Sequence, residues 1–119
     1  MANILVIDDD RQMRLLIARM LTRAGHEVHE AETGRDGLNA FREAPIALVV
    51  TDILMPEMEG LETIRTIRHE APTIPILAIS GSDQSLYLRA ASELGAAATL
   101  EKPFTADDLL EHIDRLLGK

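Results

Sequence analysis

Short apolar runs alternate with amphipathic segments along the whole chain. Ile4-Leu5-Val6-Ile7 is uninterrupted and aliphatic, the pattern of a strand covered on both faces, and it stops at Asp8-Asp9-Asp10. Met13, Leu16, Ile17, Met20 and Leu21 then recur at the spacing of one helical stripe, which Gly25 ends. Glu27 to Ala31 reads as a second, weaker strand, and a helix over 34–43 closes before Pro45. Residues 46–51 (IALVVT) predict the third strand, ending in Asp52. After the segment 55–60 (MPEMEG), Leu61, Ile64 and Ile67 mark a third helix. Pro72 and Pro75 precede a fourth strand over 76–79, which runs into Ser80-Gly81. Asp83 is placed to cap a helix reaching Leu94, with Gly95 as its stop. Ala97 to Leu100 gives the fifth strand, followed by Lys102-Pro103. Leu109, Ile113, Leu116 and Leu117 define the last helix, capped by Thr105.

Five strand–helix units without a repeat or a linker predict an α/β fold, a five-stranded parallel sheet with five helices on both faces, formed as one domain over 1–119. Right-handed crossovers bring the C-terminal ends of such strands to one edge. Asp8-Asp9-Asp10, Asp52, Ser80 and Lys102 each stand at a strand's C-terminal end, so residues far apart in sequence are expected on one rim.

Composition narrows what that rim can meet. The 119 residues carry 20 acidic and 12 basic side chains, a net charge of −8, which argues against a grip on nucleic acid. No apolar run approaches the ~20 residues of a membrane span, and MANILVIDDD lacks the basic-then-apolar pattern of a leader, so a cytoplasmic protein with no membrane partner is expected. With no cysteine there is no disulfide, thiolate site or cysteine nucleophile. Only two of the basic residues are Lys, and the single internal one is Lys102. That site takes a compact ammonium in a chain that otherwise uses the planar fork of Arg; chance is the plain alternative.

Two or three carboxylates on one rim repel unless positive charge lies between them. Lys102 supplies part of it and a divalent cation supplies more. Oxygen ligands without His or Cys suit Mg²⁺ or Mn²⁺. An acidic pocket with a cation, an ammonium and a hydroxyl donor suits a phosphoryl group, and a carboxylate can itself be the nucleophile that accepts one.

These residues carry a family resemblance. Asp8-Asp9 after the first strand, Asp52 followed by Met55-Pro56 and Gly60, Ser80 after the fourth strand, and Lys102-Pro103-Phe104 after the fifth occur in the order found in receiver domains of two-component response regulators. The chain resembles that family over nearly its full length, in particular its small single-domain chemotaxis members. The resemblance implies the flavodoxin-like strand order 2-1-3-4-5. It implies Asp52 as phosphoacceptor from a phosphohistidine on a sensor histidine kinase or a histidine phosphotransfer protein. Mg²⁺ would be held by Asp9, the Asp52 carboxylate and the backbone carbonyl of Leu54, with Asp8 acting largely through water. Lys102 would pair with one phosphoryl oxygen and Ser80 would donate its hydroxyl to another, while Pro103 matches the family's cis proline. The first helix's exposed apolar seam would receive the donor's helices. The output protein is left unnamed, and a second copy of the chain stays open as a partner. Because the chain starts at Met1 and stops just after its last helix, a stand-alone regulator acting by protein contact or onward phosphotransfer is expected, with a fragment of a larger regulator or hybrid kinase as the alternative.

Two departures qualify the resemblance. Three positions before Lys102, where the family often has an aromatic ring that swings with the hydroxyl residue, this chain has Thr99; Tyr87 is its only tyrosine. Leu54 and Ser82 flank the path of attacking water, and Leu54 cannot orient that water by a hydrogen bond, so slow self-hydrolysis is expected. Other readings remain for individual residues: Asp10 as a helix cap, Asp52 and Ser80-Gly81 as turn residues, Lys102 as a solvated charge. His26, His29, His69 and His112 lack ligand spacing and are expected at the surface or satisfied. Two rival functions use the same fold. One is a phosphorylation-independent interaction module. The other is an aspartate-nucleophile phosphatase of the haloacid-dehalogenase type, against which Gln12 stands where Thr or Val is required. A dinucleotide site fails for want of a Gly-rich loop after the first strand.

Overall fold

The computed structural model describes residues 2–53, 60–81 and 85–118, the side chains of 85–87 excepted. Along the chain run β1 (Asn3–Ile7), α1 (Arg11–Arg23), β2 (Glu27–Ala31), α2 (Gly34–Glu43), β3 (Leu48–Asp52), α3 (Gly60–Glu70), β4 (Ile76–Ser80), α4 (Ser85–Leu94), β5 (Ala98–Glu101) and α5 (Ala106–Leu116). All four strand pairings are parallel, in the order β2-β1-β3-β4-β5. This is the flavodoxin-like order expected from the resemblance.

The uninterrupted apolar runs are explained by two separate cores. Leu5, Ile7, Val49, Ile76 and Ala78 face one side of the sheet, where Leu38 of α2, Ile64 and Ile67 of α3 and Ala91 of α4 cover them. Ile4, Val6, Val50, Leu77 and Ile79 face the other, under Ile17 and Leu21 of α1 and Leu109 and Ile113 of α5. Alternating side chains of one strand therefore feed both layers, and each fully buried aliphatic contributes roughly 1.5–3 kcal/mol. Among the described residues no helix is long and apolar enough to cross a membrane.

The helix ends follow local chemistry. Asp10 caps α1 by accepting from the Gln12 and Met13 amides, and Gly25, with φ +95°, takes the chain out of the helix. Thr105 and Asp108 form a reciprocal capping box on α5. Thr33 caps α2 by accepting from the Asp36 amide at 3.0 Å. Asp83, the expected cap of α4, lies outside the described residues.

Three expectations need correction. The third strand begins at Leu48, not Ile46, because the chain turns at Pro45, where the Ile46 amide bonds to the Ala44 carbonyl at 2.9 Å. The fifth strand is shifted by one residue, to Ala98–Glu101. Leu16 sits on the apolar stripe of α1 yet is 44% exposed, as Leu15 is at 42%; the sheet beneath is filled by Ile17 and Leu21, and Leu16 turns toward the groove between α1 and α5.

Candidate functional site

Asp8 directly follows the last ladder position of β1, and Asp52 is the last residue of β3. The parallel register brings both to the same edge, and carboxylate oxygens of Asp8, Asp9 and Asp52 lie within 4.8 Å of one another. Lys102, just past β5, points its ammonium into this group, 3.8 Å from Asp8 Oδ2 and 4.0 Å from Asp52 Oδ1. Four sequence-predicted residues thus meet. The Lys102–Pro103 peptide is cis, and the Lys102 amide donates to the Ser80 carbonyl at 2.7 Å.

Ser80 reaches the same edge, one position beyond Ile79, the register partner of Asp52. Its side chain is fully buried and its hydroxyl donates to the Gly81 carbonyl at 3.2 Å. Leu54, Ser82 and the motif residues Met55 and Pro56 lie outside the described residues, as does the side chain of Tyr87. Thr99 is half-buried on β5, paired with Ala78.

Electrostatics on this edge are unbalanced. Burial pushes the Asp52 carboxyl from its ordinary 3.8 up to about 6; Lys102 pulls it down, while Asp8 and Asp9 add to the rise. Burial also raises Asp8, against the opposing pull of the Asp10 amide and Lys102. One ammonium does not offset three acids. Among the described residues the donor set fits a hard divalent cation: three carboxylates, close enough that modest side-chain rotation would bring them within the ~4.2 Å spanning an octahedral Mg²⁺ shell.

Two contributors were not anticipated in their roles. Gly60 packs so tightly under β3 that a Cβ there would stand 2.1 Å from the Asp52 carbonyl oxygen and 2.3 Å from Ile53 Cα, while its amide donates to the Ile53 carbonyl at 2.9 Å. Glycine in the motif is thus a requirement of close approach behind Asp52. Arg14 donates from Nη1 to the Asp8 carbonyl at 2.8 Å and from Nε to Glu30 Oε1 at 3.2 Å. Its charge four residues after Asp10 was the available signal, but helical periodicity does not say which groups a long side chain reaches.

The four histidines lie outside the acidic cluster. His26 is buried and accepts from the Ala2 amide, and His112 Nδ1 meets the Asp108 carbonyl at 2.8 Å. His29 is half-buried, and its Nε2 is buried without a hydrogen-bond partner among the described residues. In register with Leu5, His29 stands on the α2 side of the sheet.

The sequence and the fold both match known proteins. The family model for the response regulator receiver domain matches residues 4–114. Response regulator MprA of Mycolicibacterium vanbaalenii is 36% identical over 116 residues, covering 98% of this chain and 50% of its own. The chain spans about half the length of the curated relatives it matches. The crystal structure of the receiver domain of NtrX from Brucella abortus superposes with a TM-score of 0.92 at 34% identity, over 96% of this chain and 97% of that one. Chemotaxis protein CheY4 of Vibrio cholerae gives 0.92 at 30% identity, over 98% and 99%.

Proposed function

Because the chain belongs to the response-regulator receiver family, we propose that it serves as the phosphoacceptor of a two-component phosphorelay, with Asp52 as the residue phosphorylated. The observation that carries this reading is the cluster of Asp8, Asp9 and Asp52 around the Lys102 ammonium at the C-terminal edge of the sheet. Receiver domains bind Mg²⁺ at such an acidic pocket. Here Asp9, Asp52 and the Leu54 carbonyl would hold it, with Asp8 acting through water, and the ion would neutralise phosphoryl oxygens.

In the transfer, an Asp52 carboxylate oxygen forms a bond to phosphorus as the bond from phosphorus to the donor's imidazole nitrogen breaks. The imidazole then regains a proton from solvent. Lys102 stabilises the charge on one equatorial oxygen. Ser80 turns its hydroxyl from the Gly81 carbonyl to another. The donor's helices dock on Leu15, Leu16 and the α1–α5 groove lined by Met20, Ala106 and Leu110, where apolar side chains are left open. Phosphate contacts then favour one arrangement of the loops after Asp52 and Ser80, changing which protein the domain contacts. With Thr99 in place of an aromatic ring, that shift runs without the ring's rotation.

Intact mass after incubation with Mg²⁺ and acetyl phosphate tests the assignment. The native chain is expected to gain one phosphoryl group, and neither Asp52→Asn nor the native chain in excess chelator should do so. An adduct that persists in Asp52→Asn would remove Asp52 from the role.

A further inference from the structure

Resting on the metal-site reading above, we propose that Arg14 is a positioning residue of the acidic rim: its guanidinium clamps the Asp8 backbone to Glu30 of β2 and so sets the geometry in which Asp8 and Asp9 receive a divalent cation. Among the described residues, four contacts fix Asp8. Its amide donates to the Ala31 carbonyl at 3.1 Å, its Oδ1 accepts from the Asp10 amide at 2.9 Å, and its Oδ2 faces Lys102 at 3.8 Å. The fourth is the 2.8 Å bond from Arg14 Nη1 to its carbonyl. The ladders of β1 to β2 and β3 end one residue earlier, at Ile7, so this carbonyl lies past the last ladder pair. Asp8 is itself buried, and an unpaired carbonyl there would be costly.

Arg14 is suited to the task by shape. Its side chain is only 13% exposed, and its backbone is anchored by the first α1 hydrogen bond, to the Asp10 carbonyl at 2.9 Å. A planar fork reaches the Asp8 carbonyl and the Glu30 carboxylate at once, which a single ammonium does less well. Asp9 lies between two residues that this arrangement immobilises, Asp8 through its carbonyl and Asp10 through both its amide and its carbonyl.

A clamp and a simple charge effect act on Mg²⁺ binding with opposite signs. A cation this near the rim opposes binding of another cation, so its removal by charge alone would tighten Mg²⁺. As a clamp, its removal loosens Mg²⁺. Calorimetric titration of Mg²⁺ into the metal-free native chain, Arg14→Gln, Arg14→Lys and Glu30→Gln separates the two. Amide exchange at Asp10 in the metal-free state and denaturant unfolding accompany it. The Mg²⁺ Kd is expected to rise roughly tenfold in Arg14→Gln and about threefold in Arg14→Lys, which keeps the charge but not the fork, and about twofold in Glu30→Gln. Asp10 exchange should accelerate in the same order. An unchanged or lower Kd in Arg14→Gln, whatever its stability, overturns the role. Should that variant fail to fold, an unchanged Kd in both Arg14→Lys and Glu30→Gln does so instead. A native chain that takes up no Mg²⁺ overturns the metal-site reading and this inference with it; native binding with unaltered variants overturns Arg14 alone.

Discussion

Lys102 and Arg42 are both cations set against carboxylates, and they teach opposite lessons. Arg42 of α2 meets Glu70 of α3 through two parallel hydrogen bonds, one from Nε at 3.0 Å and one from Nη2, with the Arg42 side chain 51% exposed. Charges there are matched one to one in water, and each partner favours the other's ionised form: Arg42 lowers Glu70, and Glu70 raises Arg42. Lys102 faces Asp8 and Asp52 at about 4 Å, with those carboxylates only 2% and 11% exposed. Its charge is outnumbered, and burial leaves both acids raised despite it. The better-formed ion pair is the one with the lesser consequence. The imperfect one leaves negative charge uncompensated, which a bound cation would offset.

The largest effect expected from this contrast is on stability. A carboxyl raised from 3.8 to about 6 on folding gives no penalty where both states are protonated, below about pH 4. Between those values the unfolded chain ionises first and stability falls; above about pH 6 the full penalty applies, on the order of 3 kcal/mol. Metal-free Asp52→Asn is therefore expected to unfold at higher urea than the native chain at pH 7.5, by about 2–3 kcal/mol, with the difference vanishing near pH 4. Equal stability at pH 7.5 would mean that Lys102 already balances the rim.

Lys102 itself gives the next largest effect. Replacing it by Met removes the positive charge nearest Asp8 and Asp52, so metal-free stability at neutral pH should fall while Mg²⁺ binds more tightly, by about fivefold if the charges are screened as in water. Phosphoryl uptake from acetyl phosphate should nevertheless drop, because the ammonium is assigned to the transferred group. Weaker Mg²⁺ binding in Lys102→Met would break the view that cation and ammonium compete for the same acids.

What the sequence made legible follows from how each residue acts. The strands were readable because Ile4–Ile7 and Ile76–Ile79 are buried on both faces, and a strand flanked by two helical layers has no polar alternation to confuse it. The rim was readable because topology alone brings strand ends together, so Asp8, Asp52 and Lys102 required only the right fold. Gly60 was visible as a motif residue, but its cause, backbone contact with Asp52, is a distance and has no periodicity. Arg14 stayed hidden because a long side chain bonding a backbone carbonyl leaves no pattern. Leu16 lies on the apolar stripe yet stays uncovered, since a helical wheel gives the direction of a side chain and not whether anything covers it.

The smallest effect completes the comparison. Glu70→Gln removes the acid of the exposed pair, where entropy and solvent screening oppose the gain of two good hydrogen bonds. Its sign with pH is the reverse of that at the rim. Glu70 is lowered on folding, so its contribution is present above the unfolded value of 4.5 and is lost as pH falls through the lower folded value. Metal-free native and Glu70→Gln chains should therefore have nearly the same urea midpoint at pH 7.5 in moderate salt. Any small advantage of the native chain should shrink in 1 M NaCl and disappear toward pH 3, whereas the Asp52→Asn difference already closes near pH 4 and has the opposite sign. A Glu70 effect as large as the one at Asp52 would show that contact geometry, and not burial with uncompensated charge, governs the electrostatics of this chain.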